Sequence, residues 1–450
     1  MTASDPYPAP PAPAPPTAVR RGAASRRALL AGSAGNLVEW YEFGVYGCLA
    51  TVIAANFFTP GASGTGGTGT GGAGGAEALV ATYASFALAF FFRPVGAVLF
   101  GRLGDRVGRR PALITVVGLM TLATVMIGLL PTRATIGAAA PWLLTLLRAL
   151  QGLSAGGEFG GAVSLMTEYA PVGRRGRYGA WQSFTVALGL LAGAGTAASL
   201  ASVLSAEALH AWGWRIPFLL ALPLGAVALW LRTAVEEPPG APPATGAVPR
   251  AGARELARAV VLGIGRIMGW SAAGYTFLVV LPSYLQATLG ASLREALVAT
   301  ALANTGFAAA ILPAGALSDR IGRRPVMLCG ALGVVVLALP LLNVLQSPAS
   351  SPWARAGAVL LAGALVGLLA GPGPAMLAEM FPRRVRCTGL GLAYSLANAV
   401  FSGCAGLVIT ALIAATGDTA VPAYYAAGAC ALSCPALLAL RGRDHREPLR

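Results

Sequence analysis

The sequence predicts an all-α membrane protein: twelve transmembrane helices in two six-helix, pseudo-symmetric halves. Three observations carry this expectation. Of the 450 residues 56% are hydrophobic and 11% charged, and the mean hydropathy is +0.68, which is more apolar surface than one soluble core buries. Cutting the chain at charges, prolines and glycine clusters leaves twelve apolar stretches of about 20 residues, the length that crosses hydrocarbon as a helix. A charged loop of the first half also returns in the second.

Taken in order, the spans fall near 28–56, 78–100, 112–131, 141–165, 179–204, 213–232, 259–287, 294–316, 326–346, 354–378, 387–414 and 419–440. Span 1 holds GNLVEWYEFGVYG at 35–47, with two glutamates amid apolar residues, and span 2 holds Arg93. Span 4 holds Arg148, Gln151 and Glu158, and its glycines at 152, 156, 157, 160 and 161 suit close helix packing. Span 7 holds Arg266. The division expected from this is a tail at 1–27, a first half at 28–232, a central linker at 233–258, a second half at 259–440 and a tail at 441–450. The Pro/Ala tract at 6–16, the Gly/Thr tract at 61–75 and the Pro-rich 238–249 lack the residues to build a core.

Orientation follows from arginine, which supplies all 32 basic residues. With the N-terminus in the cytoplasm, only Arg133, Arg215, Arg294 and Arg355 fall in outside loops, and Arg93, Arg148 and Arg266 fall within spans. Every other arginine lies inside, which places both termini in the cytoplasm of a multi-pass cell-membrane protein. The formal charge of +15 therefore marks short loops rather than a nucleic-acid surface. The six cysteines form no CxxC or Cys/His cluster, so neither metal nor cofactor is expected. SRRALLAG at 25–32 fits a twin-arginine export signal less well than an anchor, because two glutamates interrupt the apolar region and no clean cleavage site follows.

The repeat is GRLGDRVGRRP at 101–111 against GALSDRIGRRP at 315–325, joined by EYAPVGRR at 168–175 against EMFPRRVR at 379–386. Two motifs at nearly one offset imply duplicated halves. Simple positive-inside anchoring explains the arginines but not an aspartate at the same place in both copies. The expected task is a cytoplasmic gate in which Asp105, Arg109, Arg110, Asp319, Arg323 and Arg324 pair with Glu168 and Glu379 when that side closes.

The first repeated loop resembles the signature loop of the major facilitator superfamily of secondary transporters. GNLVEWYEFGVYG, the run FFRPVGAVLFGRLGDRVGRRP, RALQGLSAGGEFGGA at 148–162 and AEMFPRRVRCTG at 378–389 are similar to the metabolite:proton symporters, the group with proline/betaine, shikimate, 2-oxoglutarate and citrate carriers. The resemblance covers nearly the whole chain and implies the major facilitator fold. Two departures stand out: Glu42 where the group usually has Asp, and Ser395 after Tyr394 where Asn is expected.

Charge at the centre of a bilayer costs about 2.5–3.5 kcal/mol, so intramembrane charges face protein or a cavity and usually have a task. Asn36, Glu39, Phe43 and Tyr46 follow helical spacing, with Glu42 about 60° from Glu39; on span 4, Arg148, Gln151 and Glu158 can line the same interior. Three acids and three bases suggest mutual neutralisation. Proton carriage is expected of Glu39, Glu42 or Glu158, against the alternative of static Glu–Arg pairs. Arg93, Arg148 and Arg266 offer carboxylate partners; Trp181, Tyr275, Tyr284 and Tyr394 offer aromatic faces for an ammonium; Gln182, Asn304 and Asn398 add neutral hydrogen bonds.

GLSAG at 152–156 fits the nucleophile-elbow pattern, but His210 and His445 lie outside membrane depth, so no hydrolase is expected. The chain contains no Lys for an ATP-binding loop. A drug exporter of the same fold typically has a Gly-Pro motif in span 5, where FTVALGLLAGAGTAA has no Pro. The expected function is proton-coupled uptake of a small polar metabolite by alternating access, working as a monomer in the lipid bilayer without nucleic acid. A zwitterionic osmolyte such as proline or glycine betaine is the first expectation for the substrate. Small mono-, di- or tricarboxylates are the second, and proton-coupled export is the third.

Overall fold

The computed structural model describes residues 18–59, 73–107, 109–156, 158–168, 170–171, 173–233, 253–381 and 386–440. The side chains of 18–32, 73, 101–102, 104–107, 109–110, 161–162, 164–165, 168, 232, 253, 255 and 386–388 are not among those described. Described elements are all helical: ten helices are long and apolar enough to cross a membrane, and Ser33–Cys48 with Ala50–Phe58 forms an eleventh span bent by 64°. The twelfth is span 4, in two segments, Ala139–Ala155, which ends at Gly156, and Glu158–Glu168.

Spans 2, 3 and 5 are Ala73–Val107, Arg109–Leu129 and Arg175–Val203. Span 6 runs within Ala206–Leu231. Span 7 is Ala253–Tyr275 continued by Leu281–Ala287, and span 8 is Leu293–Ile321. Span 9 is Arg323–Gln346, and span 10 is Pro352–Ala370 with Gly373–Met380. Span 11 is Arg386–Ala397 with Ala405–Thr416, and span 12 is Val421–Leu438. Several helices reach a turn or more past the apolar stretches read from sequence, chiefly at the ends bearing the repeated loops. Those final turns carry the charged residues of the loops, and a helix outside hydrocarbon continues without apolar residues.

Starts and bends have local causes. Ser292 and Glu295 cap span 8 reciprocally, and the Ser351 hydroxyl accepts from Ala354 N–H at the start of span 10. Spans 7 and 11 each carry a π-helical turn in mid-membrane, Thr276–Val280 and Asn398–Gly403. Such turns rotate the residues that follow and recur at functional sites.

Glycine sets the closest helix contacts, and it does so twice. A Cβ on Gly96 would stand 1.7 Å from the Leu153 carbonyl oxygen, and one on Gly152 1.7 Å from that of Ala89, so spans 2 and 4 touch backbone to backbone. In the second half, a Cβ on Gly306 would stand 2.1 Å from Leu360 O and one on Gly363 1.9 Å from Ala303 O, joining spans 8 and 10 in the same way. The duplication read in the loops is therefore present in the packing. Trp142 and Trp353, at the starts of spans 4 and 10, are 76% and 87% exposed, where an aromatic belt meets the membrane surface.

Candidate functional site

The two halves meet along spans 5 and 8, spans 1 and 7, and spans 2 and 11. Between them, at mid-membrane, lies a narrow cavity with about 30 Å³ of free volume, room for one or two waters. Trp40, Trp270, Tyr275, Phe307 and Tyr394 turn toward it, with Ser183, Asn398 and Ser402 as polar lining. Its described lining carries no charged side chain. Tyr275 is 5% exposed and its hydroxyl has no hydrogen-bond partner among the described residues, so it is a donor available to a solute. Asn398 is occupied: its amide donates to Tyr394 O at 2.9 Å and its oxygen accepts from Ser402 Oγ at 2.7 Å.

The charges sit behind that lining, in the first half. Arg93 Nη2 stands 3.0 Å from Glu39 Oε1, both nearly sequestered from solvent. The Arg93 guanidinium lies 4.3 Å from the Phe90 ring centre and 4.6 Å from that of Phe43. Arg148 is fully buried, 4.1 Å over the Tyr46 ring and 4.9 Å from Phe43. Aromatic faces thus share in holding both cations. Arg93 thus forms an intramembrane ion pair with Glu39.

Glu42 has no such direct partner. Arg148 Nη1 donates to Gln151 Oε1 at 2.6 Å, Gln151 Nε2 donates to Thr124 Oγ1 at 2.5 Å, and the Thr124 hydroxyl reaches Glu42 Oε2 at 2.5 Å. A neutral amide and a hydroxyl therefore separate the carboxyl from the arginine. Glu158 is buried in the first turn of the second segment of span 4, where a helix N-terminus favours a carboxylate. Tyr46 bonds Ser85 at 2.7 Å beside this network.

Other expected contacts belong to packing. Asn36 donates to Gln182 O at 3.1 Å and to Thr185 Oγ1 at 2.6 Å, and Gln182 returns a bond at 3.4 Å, so these amides tie span 1 to span 5. Trp181 donates to Ser33 Oγ and Tyr284 to Thr419 O, each at 2.9 Å, away from the cavity. Arg266 turns to span 12, where its Nε donates to Ala436 O, a carbonyl in the last turn of a helix that lacks an intrahelical partner. Asn304 donates to Leu278 O and Thr300 O within the second half.

At the end bearing the repeated loops, Arg323 Nη2 pairs with Glu379 at 2.9 Å and Nη1 with Asp319 at 2.8 Å. Asp319 also accepts from Gly176 N–H at 2.7 Å and Arg177 N–H at 2.9 Å, the first turn of span 5 in the other half. A Cβ on Gly176 would meet Arg323 Nη1 at 2.3 Å, so glycine is what admits the latch. Nearer the cavity the Phe159 and Tyr394 rings stack across the halves at 3.4 Å. Arg324 is exposed rather than paired into this cluster. The expected gate members Asp105, Arg109, Arg110 and Glu168 lie outside the described side chains. At the opposite end, Tyr83 bonds Ser283 at 2.7 Å and Thr51 donates to Gln286 at 3.0 Å. Both ends are bridged at once, so the cavity is occluded. Sequence reasoning missed Thr124, Trp40, Trp270 and Gly176; a lone hydroxyl or indole in an apolar helix carries no signal by itself.

Residues 28–240 match the family described as "Sugar (and other) transporter" and residues 260–450 the Major Facilitator Superfamily. The chain is 33% identical over 415 residues to the proline/betaine transporter of Salmonella typhimurium, covering 89% of this chain and 80% of that protein. It is 37% identical over 403 residues to the alpha-ketoglutarate permease of Escherichia coli, covering 87% and 88%, and 35% identical over 408 residues to the citrate-proton symporter of Klebsiella pneumoniae, covering 90% and 89%. The solved proton:xylose symporter XylE has the same fold, with a TM-score of 0.73 at 19% identity over 92% of this chain and 95% of that one.

Proposed function

Since the chain belongs to the metabolite:proton symporter family of the major facilitator superfamily, we propose that it imports a zwitterionic osmolyte such as proline or glycine betaine with protons, by alternating access. The observation that carries this reading is the occluded cavity: aromatic faces and neutral polar groups, with the unpartnered Tyr275 hydroxyl among them. Aromatic faces attract an alkylated ammonium, and one phenolic donor suits one carboxylate. A di- or tricarboxylate brings two or three charges and needs cations, which stand behind the lining and are engaged with Glu39 and Gln151. Small carboxylates are the second reading, favoured by Arg93, whose Nε has no hydrogen-bond partner next to Tyr275's neighbour Phe90.

Glu42 is the proton carrier in this reading. It is fully buried between spans, and among the described residues one of its oxygens has no hydrogen-bond partner and no arginine touches it directly, so proton gain and loss need not break an ion pair. Glu39 is the static partner of Arg93. A proton carried with a net-neutral substrate gains about 2.3 kcal/mol per 100 mV of membrane potential, roughly 50-fold accumulation. The Asp319–Arg323–Glu379 cluster locks the cytoplasmic face, both termini lie in the cytoplasm, and the chain works as a monomer in the cell membrane.

The test uses vesicles loaded with a pH-sensitive dye, to which proline, glycine betaine, 2-oxoglutarate, citrate and shikimate are added in turn. Acidification of the dye-filled lumen with one zwitterion, lost in Glu42→Gln while substrate counterflow persists, is the expected result. Movement of the compound by the unaltered protein without proton flux refutes coupling; a response to citrate or 2-oxoglutarate alone selects the second reading.

A further inference from the structure

Thr124 stands in the next-to-last turn of span 3, and its hydroxyl has more partners than it has protons. Glu42 Oε2 lies at 2.5 Å, Gln151 Nε2 at 2.5 Å and Met120 O at 3.0 Å. A hydroxyl has one proton and two lone pairs. The orientation of the Gln151 amide is fixed, because Arg148 can only donate and holds its oxygen at 2.6 Å. Gln151 therefore donates to one lone pair of Thr124, and a single hydroxyl proton remains for two acceptors.

Those two acceptors correspond to the two protonation states of Glu42. When Glu42 is ionised, Thr124 donates to it, and the bonds from Arg148 through Gln151 and Thr124 all point toward the carboxylate, a head-to-tail chain whose links polarise one another. When Oε2 carries a proton, Glu42 donates to the second lone pair, and the Thr124 proton turns to Met120 O, the ordinary bond of a helical threonine to the carbonyl four residues back. The change is one rotation about a Cβ–O bond. Both states leave Oε2 bonded, the other carboxyl oxygen having no partner among the described residues. In the protonated state the last link is reversed, so the links no longer run head to tail from Arg148 to Glu42 and lose their mutual polarisation.

We propose that Thr124 is the positioning residue that reads the protonation of Glu42 and passes it from span 1 to span 4: a proton on Glu42 reverses the last link and weakens the tie through Gln151 to Arg148, and its loss restores the head-to-tail order. This rests on the reading of Glu42 as proton carrier. The charged and titratable groups around Glu42 are Glu39 and Tyr41 on its own helix, Arg93 through Glu39 from span 2, and Arg148 and Glu158 from span 4. Span 3 contributes Thr121 and Thr124 and no described charge at this depth.

The test compares the full chain with Thr124→Val, which keeps the shape without the hydroxyl, and Thr124→Ser, which keeps the hydroxyl. Infrared difference spectra across a pH step identify the Glu42 carboxyl band as the one missing in Glu42→Gln. Thr124→Val is expected to move that band to higher frequency and Thr124→Ser to return it. Proline or glycine betaine accumulation driven by a pH gradient is expected to fall about tenfold in Thr124→Val, the scale of one hydrogen bond to a charged group, and to recover in Thr124→Ser, with counterflow within about twofold in both. An unmoved band, or undiminished accumulation in Thr124→Val, overturns the inference while leaving Glu42 as carrier. If the unaltered protein has no Glu42-dependent band, the carrier reading falls and the switch with it.

Discussion

The latch across the halves can be tested at one atom. Asp319→Asn keeps the side chain's shape but replaces one acceptor oxygen by a donor, which then faces the Gly176 or Arg177 N–H that the carboxylate now accepts. A hydrogen bond to a charged group is worth about 1.5–3 kcal/mol and a neutral one about 0.5–1.5. Losing one bond and neutralising the other totals about 2–3 kcal/mol once the solvent-facing Arg177 N–H is discounted. Arg323 keeps Glu379, so the local fold of the second half is retained and the loss falls on the contact between halves. The equilibrium between closed and open states of this face should then shift roughly 30- to 150-fold toward open. The assay is a distance distribution between spin labels on cysteines replacing the exposed Arg174 and Arg324 in a cysteine-free background. The expected result is a longer-distance population that grows in Asp319→Asn. An unchanged distribution means that Asp319 does not hold the two halves together.

Further outcomes follow from the same geometry. Glu39→Gln leaves Arg93 buried without its carboxylate and should cost about 3–5 kcal/mol, softened by the Phe43 and Phe90 faces; detergent unfolding should show the double variant Glu39→Gln/Arg93→Met recovering most of it, and equal stability of single and unaltered proteins would count against the pair. Gly152→Ala puts a methyl 1.7 Å from Ala89 O and should destabilise by at least 1–3 kcal/mol, whereas Gly118→Ala, which points into open space, should melt within a degree or two of the parent. Trp40→Leu removes one aromatic face of the cavity and should weaken glycine betaine binding by roughly 2- to 30-fold, read by calorimetry, with no change expected if the ammonium rests elsewhere.

The legible parts of this molecule were those that break a pattern. Glu39, Glu42, Arg93 and Arg148 interrupt apolar runs, and the repeated Asp-Arg loops announce themselves by self-comparison, so the fold and the buried charge cluster could be read in advance. Which acid meets which base could not, because Glu39 and Glu42 share a face of span 1 and side-chain reach decides between them. Arg266 was drawn into the site by its depth, yet its long side chain reaches an unpaired helix-end carbonyl on span 12. Thr124 stayed hidden because a threonine in a membrane helix ordinarily satisfies itself on its own backbone. Of the cavity wall Tyr275, Tyr394 and Asn398 were read in advance and Trp40, Trp270 and Ser402 were not; the π-helical turns at Thr276–Val280 and Asn398–Gly403 rotate the faces of spans 7 and 11 away from any constant helical period.

The backbone-to-backbone contacts of spans 2 with 4 and 8 with 10 bear on a different economy, that of the cell's energised membrane. Any carrier driven by an ion gradient is also a potential short circuit for it. A file of water needs room for one oxygen, and at Gly96, Gly152, Gly306 and Gly363 even a methyl group would overlap a carbonyl. Along these two helix pairs no such file has room to pass, so each half is insulated where its own helices meet most closely. The insulation is made from side chains the sequence leaves out.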